Sequence, residues 1–472
     1  MRAPSRAAGE VRPVVAAAVL LAVVVAIAWV GLFADLRHDD AFITLRYGEN
    51  LARGRGLVFA PGAAVMGSTS PGMCLVSALV HALAGHAATP SIVSALGCLA
   101  WVAEAGAVAL LLAPVAGEVV ALGVGACVAL GAAQGAEHVA LETHEALALG
   151  LFAALAMRAG RLRTAAALVA LAGLARPDEY LWLAPLTLLA WRARPRPLAA
   201  ALVFAAPTLA WLAFAWLAYR ALLPQSAATK FARVALGDYA AHLATHVPRT
   251  WLGAWCPAPV AWLAWPLAFA GGAYLARRDR GLAALAAFTL LHVAGYLVLR
   301  PFKQHVWHLY PPAVGTLALG VGGAAAWARP RLGRAGAPVV AVALGCMALA
   351  YVARTARFAA TYRDAYWFGG RDTVYDAVSA YLLAHGRPDD VVSSFEVGTL
   401  AYTTDLEIND LGGLVTRDPL AVYRDPAARA RLRWVVLDDT LPEVREKLVD
   451  APVAAFEHGG FSAYVYALGE RP

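Results

Sequence analysis

Long uncharged runs alternate along the chain with short polar or arginine-rich breaks. The first run covers 13–34. Others follow at about 72–85, 91–113, 119–134, 143–157, 164–191, 198–219, 256–276, 281–299, 306–328 and 336–353. A helix needs about 20 mostly apolar residues to cross the hydrocarbon core, so the pattern predicts about 11 transmembrane helices. The run at 164–191 fits one long span or two half-helices turning at Arg176-Pro177-Asp178-Glu179. Parity between 72 and 191 depends on that choice, and the sequence leaves it open.

Two stretches break the pattern. Residues 35–71 form a polar loop punctuated by glycine, with Leu45 to Ala52 expected as a short helix on the membrane surface and Gly54 and Gly56 ending it. Beyond Ala365 the chemistry changes: 27 of 108 residues are charged, against 44 of the first 364. That is the density of a soluble domain. Thr373 to His385 has helical apolar spacing, Val391 to Phe395 and Trp434 to Leu437 read as short buried strands, and Pro442 to Val449 reads as a helix. The expected architecture is a mainly α, polytopic membrane domain over 1–364, with a small α/β extracytoplasmic domain over 365–472.

Composition confirms the class. The 472 residues are 60% hydrophobic and 15% charged, with a mean hydropathy of +0.60. The net charge of +7 does not signal a nucleic-acid partner. Its arginines cluster between apolar runs, as the positive-inside rule produces. Clusters at Arg192–Arg196, Arg277–Arg280 and Arg329–Arg334 are expected in the cytoplasm with the N-terminus. Asp39-Asp40, Gln225, His305 and everything after Arg354 then fall outside. The five cysteines show no CxxC spacing and read as small buried hydrophobes.

Candidate chemistry is the polar set on the outer side: Asp39, Asp40, Arg46, Glu142 with Thr143, Arg176 with Asp178 and Glu179, Gln225, Lys230, Lys303, His305 with His308, and Glu396. Asp39 and Asp40, directly after the first span, either mark a helix end or form a site. Glu104 and His292, alone in apolar runs, read most simply as groups paired to a neighbouring helix. His305 and His308 have a spacing that two metal ligands could use, but nothing nearby forces it. No GxGxxG, P-loop, GxSxG or HExxH pattern occurs, so hydride transfer, P-loop ATP hydrolysis and common hydrolase routes lack support.

These residues carry a resemblance. Asp39 to Tyr47, then Gly54 to Gly62 and Ser68-Thr69-Ser70-Pro71, resemble the first external loop of polyprenyl-phosphate-sugar glycosyltransferases of the GT-C fold. Within that fold they resemble the terminal arabinofuranosyltransferase of cell-wall arabinan and its bacterial relatives. Further matches follow in order: Leu141-Glu142-Thr143, Arg176-Pro177-Asp178-Glu179, Leu222-Leu223-Pro224-Gln225 with Lys230, Glu396 to Tyr402, and Asn409 to Leu414. Met66-Gly67-Ser68, Met73 and Gln225 depart from the family pattern and bear on sugar or acceptor specificity.

The resemblance implies inverting transfer of a sugar, such as the pentose arabinofuranose, from a polyprenyl-phosphate donor. The acceptor is a hydroxyl on a cell-envelope glycan, lipid or protein at the outer face of a bacterial inner membrane. A hydroxyl needs a carboxylate to take its proton, and Asp40 or Asp39 is the expected base, since adjacent carboxylates can share a site. Arg176, Lys230, Lys303 and His305 are the candidate cations for the leaving phosphate. Arg46 is expected to orient the aspartates. Glu142, Asp178, Gln225 and Glu396 complete the substrate-binding set. A divalent metal (Mg2+ or Mn2+) held by Asp39 or Asp40 is compatible but not required, and membrane lipid is the remaining partner. The competing reading is a flippase of lipid-linked sugars, and a weaker one is a scaffold for cell-wall enzymes.

Overall fold

In hydrocarbon no water satisfies backbone groups, so each apolar run closes its own hydrogen bonds as a helix. The computed structural model describes residues 13–192, 197–229, 234–253, 256–301, 305–440, 442–445 and 451–468. In chain order the helices are α1 (Pro13–Phe33), α2 (Asp39–Ala52), α3 (Pro71–Ala84), α4 (Thr89–Ala116), α5 (Glu118–Ala129), α6 (Thr143–Arg158), α7 (Leu162–Ala175) and α8 (Leu183–Arg192). They continue with α9 (Pro197–Tyr219), α10 (Gln225–Thr229), α11 (Leu236–Leu252), α12 (Ala258–Trp262), α13 (Ala264–Ala276), α14 (Arg280–Leu299), α15 (Val306–Arg331) and α16 (Gly336–Thr361).

Among the described residues, six helical stretches are long and apolar enough to cross a membrane: Thr89–Ala116, Leu198–Tyr219, Ala258–Ala276, Arg280–Leu299, Val306–Arg331 and the apolar part of Gly333–His385. The protein is a polytopic membrane protein. Its core is α15, in which every residue from Leu309 to Gly320 is buried. Small residues let neighbours approach its backbone: Gly271 of α13 sits against Leu319 and Gly323. Glu104 of α4 is paired across helices, to His144 of α6 at 3.2 Å and Tyr310 of α15 at 2.7 Å. Four cysteines are buried and unbridged, whereas Cys346 on α16 is exposed.

One expectation needs correction, and one open alternative is narrowed. The helix expected over Leu45–Ala52 ends at Ala52 but starts earlier; α2 begins at Asp39, and ten of its fourteen residues are buried within the protein. Asp39 and Asp40 occupy its first turn, where carboxylates face the positive end of the helix dipole. The run 164–191 is not one continuous helix but breaks at Arg176-Pro177. Pro177 disfavours helical geometry at the residue before it, and Arg176 is extended at φ −155°, ψ 121°. A 3₁₀ turn over Pro177–Trp182 then leads into α8.

After α16, α17 (Arg371–His385) leads into a small C-terminal sheet domain. Its elements are β1 (Val391–Ser394), α18 (Gly398–Thr404), β2 (Glu407–Asp410), β3 (Leu432–Asp438), β4 (Ala454–His458) and β5 (Phe461–Ala467). The strand order is β2-β1-β3-β5-β4, with β1 parallel to β2 and β3, and β5 antiparallel to β3 and β4. The β4–β5 hairpin turns through Gly459 and Gly460, whose φ values of +57° and +80° suit a two-residue turn. Helix expected over 442–449 is present at Pro442–Arg445; 446–450 lie outside the described residues. The domain shares one apolar cluster with α2 and the loop after it, in which Ile43, Tyr47, Leu57 and Phe59 pack with Val397, Leu400 and Val415.

Candidate active site

The two adjacent aspartates do not share a site. Successive helical residues point about 100° apart, and here that rotation sends one carboxylate to the sheet domain and the other into a cavity. Asp39 is buried, and both oxygens accept backbone N–H groups at the start of α18. Thr399 donates to Oδ1 at 2.8 Å, while Val397 and Gly398 donate to Oδ2 at 3.2 and 3.1 Å. Gly398 is needed for this approach, because a Cβ there would lie 2.1 Å from the Asp39 carbonyl oxygen. Asp39 is thus a docking group.

Asp40 lines a cavity of about 520 Å³ between α2, the 67–70 loop, the 141–142 corner, the 176–181 turn, α10 and the ends of α14 and α15. Glu142, Arg176 and Asp178 line the same space, as do Tyr296, Trp307 and His308. The sequence-chosen residues from three distant segments therefore converge here.

Arg176 organises the floor. Its Nε donates to Asp178 at 2.8 and 3.0 Å, its Nη1 donates to Thr143 Oγ1 at 3.0 Å, and Glu142 lies 3.8 Å away. Tyr296 on α14 donates to Asp178 at 3.0 Å, and His292, one turn earlier, lies 3.9 Å from the same oxygen. Burial alone would raise the Asp178 carboxyl, but Arg176 and the hydrogen bonds outweigh it and hold it below the usual range. Glu142 goes the other way: burial raises it, Arg176 offsets part of that, and Asp178 and Asp40 add like charge. The floor thus places a depressed and a raised carboxylate on one guanidinium.

The wall on the domain side is pinned by a few hydrogen bonds. Tyr47 Oη donates to the Val65 carbonyl at 2.6 Å and accepts from Gly67 N at 2.8 Å. Ser226 donates to the Gly67 carbonyl at 2.6 Å, and Gln225 N donates to the Met66 carbonyl at 2.7 Å. Gln225 thus fastens the 66–68 stretch, and its neighbour Ser226 reaches the cavity. Asp410 accepts from Gly412 and Val415 N, each at 2.7 Å, and from Leu414 N, which holds the loop that brings Leu414 of the sheet domain into the wall.

Other expected residues stand elsewhere. Arg46 does not orient the aspartates. It pairs with Glu49 at 2.9 Å and Asp405 at 2.6 Å, in a cluster that Arg53 and Arg55 join from the loop side. Asp405 is held down at about 2: burial would raise it, but the hydrogen bonds from Arg55 and Arg46 prevail. Glu396 lies 3.5 Å from Arg371, outside the cavity lining, and burial with the neighbouring Asp39 pushes it well above the usual carboxylate value. His305 occupies the N-cap position of α15 and stacks on Trp307, with ring centroids 4.0 Å apart, so it adjoins the cavity through that ring. Lys230 and Lys303 lie outside the described residues.

Of the two carboxylates named for a divalent metal, Asp39 has its oxygens on backbone amides, which leaves Asp40 as the one facing the cavity. Among the described residues, the three-ligand cluster is Glu49, His81 and His86. Glu49 is nine positions from Asp40 and so on the opposite face of α2. It is occupied by Arg46, Arg53 and His86.

Tyr296 and Trp307 were missed by sequence reasoning. The available signal was spacing: His292 and Tyr296 are four apart on an otherwise apolar helix and share one face.

No family model and no curated protein sequence matches the chain. Solved structures do. ArnT from Cupriavidus metallidurans bound to undecaprenyl phosphate matches with a TM-score of 0.62 at 14% identity, covering 97% of this chain and 98% of that one. The apo form of the same protein gives 0.61 at 14% identity, over 95% and 98%. The Archaeoglobus fulgidus oligosaccharyltransferase tethered with an acceptor peptide gives 0.53 at 11% identity, over 90% and 69%. At these identities the likeness is one of fold, and it is the GT-C fold that the sequence resemblance implied.

Proposed function

We propose that the chain is a membrane glycosyltransferase that moves a sugar from a polyprenyl-phosphate donor to an acceptor hydroxyl, with Asp40 as the general base. The observation that carries this reading is the placement of Asp40 in one cavity with the Arg176–Asp178–Glu142 floor, while the adjacent Asp39 is spent on docking. The fold likeness to a protein bound to undecaprenyl phosphate supports the donor class.

In the reaction, Asp40 accepts the acceptor hydroxyl's proton as its oxygen bonds to the anomeric carbon. The bond from that carbon to the phosphate oxygen breaks, the electron pair leaves on phosphate, and the sugar inverts. Arg176 supplies positive charge beside the departing phosphate; Lys230 and Lys303 remain candidates for the same role. The apolar side of the cavity, with Leu181, Leu223 and Leu299, suits the first isoprene units of the carrier. Arabinofuranose is the proposed sugar, and a cell-envelope glycan, lipid or protein the acceptor.

The proposed topology has eleven crossings: α1, α4 to α9, α12 with α13, α14, α15 and α16. In it α3 stays on the outer surface, an assignment that the arginine clusters and not its length favour, and 176–182 is an outer turn. This proposed topology is consistent in parity, with each arginine cluster in the cytoplasm and the site and sheet domain outside the bacterial inner membrane.

The test is sugar transfer from radiolabelled polyprenyl-phosphate arabinose in membranes carrying wild type or Asp40→Asn. Loss of product with normal expression supports the reading. Full transfer by Asp40→Asn would falsify the base assignment, and movement of label across liposomes without a glycosidic product would favour a flippase.

A further inference from the structure

α14 runs about 30 Å, twenty residues at 1.5 Å each, from Arg280 to Leu299. Leu299 borders the candidate active site, so Arg280 marks the far end of the helical body. There a second cavity of about 420 Å³ opens between α8 and α14. Its walls are Leu188 and Leu189 on one side and Ala283, Ala284 and Ala287 on the other, with Arg280 at the mouth. The alanines leave a slot where larger residues would close the two helices together.

The charge around the mouth is one-sided. Arg277, Arg278 and Arg280 are exposed. The neighbouring carboxylate, Asp279, is engaged by Arg158 at 2.9 Å and caps α14 by accepting Leu282 N at 2.9 Å. Arg278 lies 3.8 Å over the Tyr274 ring, while Arg280 lines the opening and Arg277, three positions earlier in the chain, is exposed. Trp191, in the last turn of α8, is 88% exposed, as aromatic residues at a membrane–water boundary are. An apolar slot topped by guanidinium groups at headgroup depth has the chemistry of an anionic lipid site.

We propose that this slot seats one acyl chain of an anionic glycerophospholipid, with its phosphate against Arg280 and Arg277. The site lies at the opposite end of α14 from Asp40 and rests only on the chain being a membrane protein, so it stands or falls independently of the transferase reading. A lipid held here braces α8, a short helix of ten residues, against α14.

The experiment uses the full-length protein in nanodiscs of phosphatidylglycerol or phosphatidylcholine, reading the thermal midpoint and, by native mass spectrometry, the retained lipid. Phosphatidylglycerol is expected to raise the midpoint by several degrees over phosphatidylcholine and to remain as a bound adduct. Arg280→Gln, which removes the charge, and Ala287→Leu, which fills the slot, are each expected to lose most of both effects. Equal midpoints in the two lipids, or retention of both effects by Ala287→Leu, overturns the proposal. Ala287→Leu alone decides the matter if Arg280→Gln fails to fold. A third arm adds polyprenyl phosphate to phosphatidylcholine discs. Stabilisation by that lipid alone, lost in Ala287→Leu, overturns the glycerophospholipid assignment.

Discussion

The seam between α2 and the sheet domain and the cavity on the other side of α2 are built from the same residue types, carboxylates and guanidinium groups. They differ in what surrounds them. At the seam, Asp39 accepts three backbone N–H groups, and Asp405 reaches Arg46, Arg53 and Arg55. The groups there are committed to one another. In the cavity, Asp40, Glu142 and Arg176 border about 520 Å³ of space large enough for a sugar and its phosphate. Burial with matched partners makes structure, and burial beside open volume makes a site.

The comparison breaks most sharply at the aspartate pair. Asp40→Asn is expected to lower transfer by about 10²–10⁴-fold, the usual worth of a general base, with the thermal midpoint unchanged. Asp39→Asn should do the reverse, with turnover retained and stability reduced by about 1.5–3 kcal/mol through weakened charge-assisted hydrogen bonds. Denaturant unfolding and transfer assays on both variants check this; equal effects on activity would erase the distinction.

Next in size is the cavity floor. Arg176→Met leaves Asp178 buried without its guanidinium and should cost about 3–5 kcal/mol, read from chemical denaturation. The double variant Arg176→Met/Asp178→Leu should recover part of that stability without recovering activity.

Gly398→Ala sharpens the seam side. The added Cβ meets the Asp39 carbonyl oxygen, so α18 must withdraw, at about 1–3 kcal/mol of overpacking. Faster proteolysis of the sheet domain would report it.

The smallest effect belongs to Asp405, whose side chain is 44% exposed. Its carboxyl is lowered to about 2, so its contribution is complete above the ordinary value of about 4 and is lost as pH falls through about 2. Melting curves of wild type and Asp405→Asn should therefore differ by a small constant above pH 4 and converge toward pH 2. A gap that first opened above pH 6 would contradict the role given to Asp405.

Much of this was legible in the sequence, because bilayer chemistry leaves few options. Apolar run lengths imply helices and a polytopic membrane class, and within the charge-rich tail the strands expected at Val391–Phe395 and Trp434–Leu437 are present as Val391–Ser394 and Leu432–Asp438. Ordered polar matches brought Asp40, Glu142, Arg176 and Asp178 onto one short roster before any geometry. The start of α2 carries a local signal as well, in its acidic first turn, although two adjacent carboxylates suit a loop equally.

Tertiary structure alone decided the rest. Asp39 and Asp40 are the same residue type at adjacent positions, and no local rule separates them; only the arrival of α18, 358 residues later, satisfies one and leaves the other at the cavity. Arg46 likewise found Asp405 across the fold, not the aspartates beside it in sequence. Side-chain chemistry and helix length are properties of the local chain. The partner that fixes a charge's role comes from packing between distant segments, and the local sequence does not encode it.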